Sequence, residues 1–155
     1  MAIQEDTTSY QSGWVSYSLV FLQVLLIVLL LYSQVWNPNS YWLMIPVSLS
    51  GILACWAIIA MRRSRINIMP DLLPGALLIT TGPYRLIRHP MYTSLLILFI
   101  PLVATQYSHQ RLSALLGLLI VLVIKIIKEE KQLKATFQDY SAYRVRTYYL
   151  FPWLL

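Results

Sequence analysis

Apolar residues fall in four long blocks along this chain, and polar ones collect in the gaps and at the end. The first block runs from Trp14 to Trp36, with its apolar core at Leu19–Leu31. The second, Tyr41 to Met61, is stopped by Arg62-Arg63-Ser64-Arg65. The third opens at Met91 and fades near Tyr107. The fourth covers Leu112 to Ile127, with Lys125 and Lys128 marking its exit. At about 1.5 Å of rise per residue, roughly 20 helical residues cross a bilayer core. The first two blocks reach that length, while the third and fourth draw on flanking residues or sit where the membrane is thin.

The pattern predicts an all-α integral membrane protein, a single domain over residues 1–155 with four transmembrane helices at about 14–36, 41–61, 91–107 and 112–127. A loop, 62–90, joins the second and third spans, and a polar segment, 128–155, follows the fourth. In that segment Leu133, Phe137 and Tyr140 recur at helical spacing, followed by Tyr143. That spacing predicts an amphipathic helix resting on the membrane surface.

Composition agrees with the pattern. The chain is 58% hydrophobic and 12% charged, against about a quarter charged in soluble domains. Of its twelve Lys and Arg residues, eleven lie in the central loop, at the end of the fourth span or beyond it, and only Arg111 lies opposite. By the positive-inside rule the loop, the C-terminal segment and the N-terminus face the cytoplasm. Trp14, Tyr17, Tyr32, Trp36, Tyr41 and Trp42 stand at span ends, as interfacial anchors do.

The net charge of +6 follows from this topology and from anionic headgroups. No basic cluster interleaved with aromatics marks a nucleic-acid surface. Met1–Gly13 has Glu5 and Asp6 but no Lys or Arg, and no small-x-small site follows the apolar core, so the first block reads as a span and not a signal peptide. The lone Cys55 reads as a packing residue and His109 as a solvated loop residue. No metal-ligand spacing, Walker loop or G-x-G-x-x-G occurs, and no metal is expected.

Two polar clusters remain, both on the same side. In the central loop Pro70, Pro74, Gly75, Gly82 and Pro83 forbid a continuous helix. Ala76-Leu77-Leu78-Ile79-Thr80 is apolar and partly β-branched, which predicts a strand-like piece. Irregular backbone near a bilayer must be buried in protein or line a polar cavity. His89 precedes Pro90, a residue suited to a first helical turn, and Tyr92 three residues later shares its face. The second cluster is Lys125-Ile126-Ile127-Lys128-Glu129-Glu130-Lys131. Charges after a span usually form a solvated exit turn, but two adjacent carboxylates beside an arginine-rich loop call for compensation. Lys125 and Glu129 share a helix face.

Thr81-Gly82-Pro83-Tyr84, Arg88-His89-Pro90-Met91-Tyr92, then Glu129-Glu130-x-x-Leu133, Tyr140-x-x-Tyr143 and Arg146-Thr147…Pro152 resemble the isoprenylcysteine carboxyl methyltransferase family. That family is grouped with the phospholipid N-methyltransferases, which are integral membrane enzymes using S-adenosylmethionine. The resemblance covers about Leu77 to Pro152; the first two spans match only in character. It implies cofactor contacts at Ala76, Leu77, Leu78, Ile79, Tyr84, His89, Pro90, Met91, Tyr92, Glu129 and Glu130. It also implies that Lys125 faces the acceptor; Lys125 and Arg88 are the candidate catalytic residues, and by their chemistry Arg88 and His89 can reach the cofactor carboxylate.

The chemistry is consistent with these roles. A carboxylate can hold the cofactor's ammonium or ribose diol with charge-assisted bonds, and an apolar backbone edge can meet adenine. Methyl transfer is a direct displacement, so positioning and desolvation supply much of the rate. A carboxylate acceptor needs no base, whereas an amine acceptor must lose a proton.

The chain departs from its relatives toward the acceptor. Lys125 stands where they often have Arg, Thr136-Phe137-Gln138-Asp139 replaces the usual F-G, and Tyr148-Tyr149 replaces the P-R before the final proline. Prenylated cysteine, an aminophospholipid and another lipophilic acid or amine all fit a pocket open to membrane lipid. Membrane sterol-type reductases using NADPH share an R-H-P-x-Y-like element, but their tail carries a cysteine and a K-Y-G motif that this chain lacks. A non-catalytic membrane module is the remaining alternative.

Overall fold

The computed structural model describes residues 12–32, 41–62 and 77–152. Trp36, the turn at residues 37–40, Arg63, Arg65, Pro70, Pro74, Gly75 and the expected cofactor contact Ala76 lie outside the described residues. The described residues are all-helical: α1 (Ser12–Tyr32), α2 (Met44–Met61, preceded by a 3-10 turn at Tyr41–Leu43), α3 (Pro90–Thr105), α4 (His109–Thr136) and α5 (Tyr140–Val145). α2 packs on α3 and α1 on α4, and contacts between α3 and α4 join the two pairs.

At the join, Leu30 of α1, Leu96, Phe99 and Val103 of α3, and Leu115, Leu118 and Leu122 of α4 form the buried core. Much of what surrounds it is apolar and outward-facing. Phe21, Ile45, Ile52 and Ile127 are all more than three-fifths exposed, far more apolar surface than a water-soluble monomer presents. The segments Gly13–Tyr32 and Tyr41–Met61 are long and apolar enough to cross a membrane, and Pro90–Thr105 is apolar but shorter. The end-of-span aromatics Trp14, Tyr17, Tyr32, Tyr41 and Trp42 are exposed. Cys55, expected to pack, is exposed on α2 instead. His109 opens α4 instead of sitting in a loop, edge-on to Tyr107.

The largest departure from the sequence pattern is at α4. It does not end near Ile127 but continues to Thr136, 28 residues in all, or about 42 Å against a bilayer core of about 30 Å. Charge takes a helix out of lipid but does not stop it. Residues 128–135 contain no Gly, Pro or β-branched residue, so nothing breaks the backbone. Phe137 turns extended (φ −113°, ψ 117°), and the expected amphipathic surface helix is thereby split. Its Tyr140 starts the short α5 and is fully buried. At the other end Ser108 caps α4 by accepting from Arg111 N–H at 3.2 Å. The Arg111 guanidinium donates to the Gln106 carbonyl at 2.6 Å and side-chain oxygen at 2.9 Å.

Residues 77–80 form no regular structure, so the expected strand-like piece is absent there. An isolated parallel bridge instead joins Ile87 to Tyr148. Before it, the 3-10 turn Gly82–Arg85 rests on α2. Gly82 has φ +63°, and a Cβ there would come within 3.2 Å of the Ala60 Cβ and Trp56 Nε1. Both the left-handed backbone and the close approach require glycine. The tail then runs back over the start of α3. Arg88 N–H donates to the Tyr148 carbonyl at 2.8 Å, Tyr148 N–H to Leu86 at 3.0 Å, and His89 N–H to Tyr149 at 3.2 Å. Thr93 Oγ1 donates to the Leu150 carbonyl at 2.7 Å.

Candidate active site

Pro90 occupies the first position of α3, where a missing N–H costs nothing, and His89 is the residue before it. This places Arg88, His89 and Tyr92 at the mouth of α3, opposite the end of α4. Glu129 and Glu130 are adjacent on that helix and so project in different directions, about 100° apart. Both are used.

Glu130 Oε1 accepts from Arg88 Nε at 2.9 Å and from the Tyr140 hydroxyl at 2.6 Å, and lies 3.4 Å from His89 Nε2. Glu129 Oε2 lies 3.3 Å from His89 Nδ1, and its Oε1 accepts from the Tyr92 hydroxyl. The imidazole thus stands between two carboxylates, one on each ring nitrogen, and parallel to the Tyr92 ring (centroids 5.7 Å apart). Both nitrogens can donate only when the ring is protonated.

Burial opposes that charge, but the hydrogen bonds and charges of Glu129 and Glu130 outweigh it and raise the His89 pKa above its usual 6.5. Burial likewise pushes the Glu130 carboxyl up, while His89, Tyr140 and Arg88 together hold it down at about 2. Tyr140 is pushed up by burial and by its bond to Glu130, so it keeps its proton and stays a donor.

These shifts fix the pH dependence of stability. The raised His89 pKa gives a contribution fully present below the unfolded value of 6.5 and lost as pH rises through the folded one. The lowered Glu130 pKa gives one fully present above 4.5 and lost as pH falls toward about 2. The thermal unfolding midpoint in detergent is therefore expected to be highest between pH 4.5 and 6.5. A midpoint flat from pH 3 to 5 (~) would contradict the Glu130 assignment.

Arg88, expected to reach toward a cofactor carboxylate, is engaged elsewhere. Besides Glu130 it donates through one terminal nitrogen to the Arg144 carbonyl at 2.9 Å and to the carbonyl and hydroxyl of Thr147. Its guanidinium lies 3.9 Å from the centre of the Tyr149 ring. It clamps the tail to α4 and is buried in doing so. Tyr84, also buried, accepts at its carbonyl from the Tyr143 hydroxyl at 2.6 Å. Pro90 is buried, Leu78, Ile79 and Met91 are half-buried, and Leu77 is exposed.

Lys125 lies one turn before Glu129. Its ammonium donates to Gln23 Oε1 at 2.7 Å and stands 5.2 Å from the centre of the Tyr92 ring. Thr147 and Tyr149 stand in the tail motif without a role being assigned to them, and Gln23 is a network member outside the motifs, its signal being that it is the one polar residue between Leu19 and Leu31.

The donor set can be tested against S-adenosylmethionine. Glu130 Oε2 is buried and has no hydrogen-bond partner among the described residues, with Arg144 Nε 3.8 Å away. A buried acceptor left open in this way suits an ammonium or a hydroxyl, and Glu129, a fifth exposed at its side chain, offers a second carboxylate. The residues fit the group. A separate groove of about 580 Å³ runs along α4, lined by Ile126, Ile127, Glu130, Lys131, Lys134 and Tyr149 among others. Of the residues expected to contact the cofactor only Glu130 lines it, so it is not the pocket that the sequence pattern predicts.

Among the described residues, two helices are of membrane length, and an Arg-His/Glu-Glu pairing joins the start of α3 to the far part of α4. The family model for phospholipid methyltransferase matches residues 44–140, more than half of the chain, and the chain belongs to that family. It is also 30% identical over 144 residues to "Uncharacterized protein YpbQ" of Bacillus subtilis (strain 168), across 90% of this chain and 80% of that relative. No solved structure matches it.

Proposed function

We propose that this chain is a four-span integral membrane enzyme that uses S-adenosylmethionine to methylate a lipophilic acid at the cytoplasmic membrane face, with isoprenylcysteine-type carboxylates as the model acceptor. The observation that carries the reading is His89 held between Glu129 and Glu130, with Glu130 Oε2 still open. When bound, the cofactor supplies an electrophilic methyl group on a sulfonium. Glu129 and Glu130 would hold its ammonium and ribose hydroxyls. The backbone leading to Gly82, with Tyr84 and Tyr92, would flank its adenine.

The same geometry bears on the acceptor. The two carboxylates raise the His89 pKa against the effect of burial and occupy both ring nitrogens, which makes it less available as a base and favours an acceptor already anionic at neutral pH. Lys125 adds a cation one turn away and would attract such a head while its hydrocarbon stays in lipid. The α4 extension beyond membrane depth carries Glu129 and Glu130 to the side where the positive-inside rule puts the cytoplasm.

A second reading, N-methylation of an aminophospholipid, is favoured by the description of the matched family. Purified protein given methyl-labelled cofactor and host lipid extract separates the two. Label in base-labile, ester-type products supports the acid, and label in phospholipid amines supports the alternative. Binding of NADPH in place of S-adenosylhomocysteine would overturn both.

A further inference from the structure

α1 lies outside the residues matched by the family model, yet it contributes a side chain to the polar network. Gln23 is the one polar residue between Leu19 and Leu31 of α1, and a polar residue at that depth is costly unless partnered and usually functional. Its partner is Lys125, which is 1% exposed.

A lysine near a membrane boundary ordinarily turns its four-carbon stem back toward the headgroups. Lys128, one turn on, does engage Ser16 near the start of α1. Lys125 turns the other way, to a residue seven positions farther along α1, about 10 Å deeper. There its ammonium faces the Tyr92 ring, and Tyr92 in turn donates to Glu129. The partner's chemistry matters as well. An amide oxygen fixes an ammonium by a hydrogen bond and leaves its charge intact, whereas a carboxylate at the same place would cancel it.

We propose that Gln23 is a positioning residue for acceptor recognition: it holds the Lys125 amine inward, where the anionic head of a lipophilic acid meets Tyr92 and Glu129. This rests on the acid-acceptor reading above. It makes α1 the element that supplies acceptor selectivity to a methyl-transfer site built from α3, α4 and the tail.

The test uses the full chain in lipid nanodiscs, comparing wild type, Gln23→Leu and Gln23→Glu in three measurements. Mass spectrometry follows modification of Lys125, relative to the exposed Lys134, by a water-soluble amine-reactive ester. Kinetics follow methylation of N-acetyl-S-farnesylcysteine, and calorimetry follows S-adenosylhomocysteine binding. Gln23→Leu should release Lys125 toward water, increase its modification and raise KM for the acid about tenfold, the loss expected for one charge-assisted hydrogen bond. Cofactor-product affinity should stay within about twofold, since the hydrogen bond of Gln23 goes to Lys125, which is not among the expected cofactor contacts. Gln23→Glu should keep Lys125 protected yet raise KM similarly, because the charge is cancelled in place.

Unchanged KM and labelling in Gln23→Leu would overturn the proposal. So would wild-type KM in Gln23→Glu, or a parallel loss of cofactor-product affinity, which would mark Gln23 as merely structural. A wild-type chain that binds S-adenosylhomocysteine but leaves the acid unmethylated overturns the acceptor reading itself, a different result from a methylating chain indifferent to Gln23.

Discussion

Arg88→Ala is expected to cost about 3–5 kcal/mol of stability, the range for removing one partner of a buried ion pair. The guanidinium is almost wholly buried and joins Glu130 to two carbonyls and a hydroxyl of the tail while stacking on Tyr149. Without it the Glu130 carboxylate stays buried with one strong donor fewer, and the strap from Arg144 to Tyr149 loses its anchor. Arg88→Lys should recover little, because a single ammonium cannot serve those partners in one plane or stack on the ring. Adding Glu130→Gln to Arg88→Ala should restore part of the loss, since much of the penalty is the unpaired charge. Denaturation in detergent, followed by the unfolding midpoint, checks all three. An Arg88→Ala protein as stable as wild type would remove the clamp from this account.

The second large effect concerns binding. His89→Ala and Glu129→Ala should each weaken S-adenosylhomocysteine binding by about 1–3 kcal/mol, the usual range for losing a charged hydrogen-bonding partner. The two should not add. Glu129 Oε2 and His89 Nδ1 are 3.3 Å apart, so each single change already disturbs the other group, and the double variant should cost less than the two single losses combined. Calorimetry on folded protein decides it. Unchanged affinity in both single variants would sink the cofactor assignment, and strict additivity would mean that the pair does not act as a unit.

Much of this protein was legible in its sequence because the relevant physics is local. Roughly twenty consecutive apolar residues have few options besides a membrane-length helix, and Pro90 after His89 marks a helix start whatever lies around it. The residue types at 88–92 and 129–130 likewise marked out the charged and hydrogen-bonding groups that the fold brings together, since those properties belong to the side chains themselves. Where that chemistry is brought together was decided elsewhere. The charges at Lys128–Lys131 are open to two readings in the sequence, a solvated exit turn or a carboxylate pair compensated by the loop; a run of good helix formers carries α4 straight through them, and that continuation sets Glu129 and Glu130 beside the start of α3. The spacing of Leu133, Phe137 and Tyr140 read as a surface helix, yet Phe137 turns extended and Tyr140 goes inward, because Glu130 offers a buried acceptor that lipid headgroups do not.

Arg88 shows the same division. Its sequence neighbours point to a ligand, and its tertiary neighbours, Arg144, Thr147 and Tyr149, occupy it. Gln23 and Lys125 lie 102 positions apart, and no periodicity within either helix could announce that they meet. What the sequence determined by itself was which apolar segments form the long helices, that Pro90 opens one of them, and which groups can do chemistry, since each depends on residues within a turn or two. Which carboxylate pairs with which cation, and which is left open, only the tertiary structure decided, because burial and the contacts among α1, α3, α4 and the tail set the electrostatics of every group in the site.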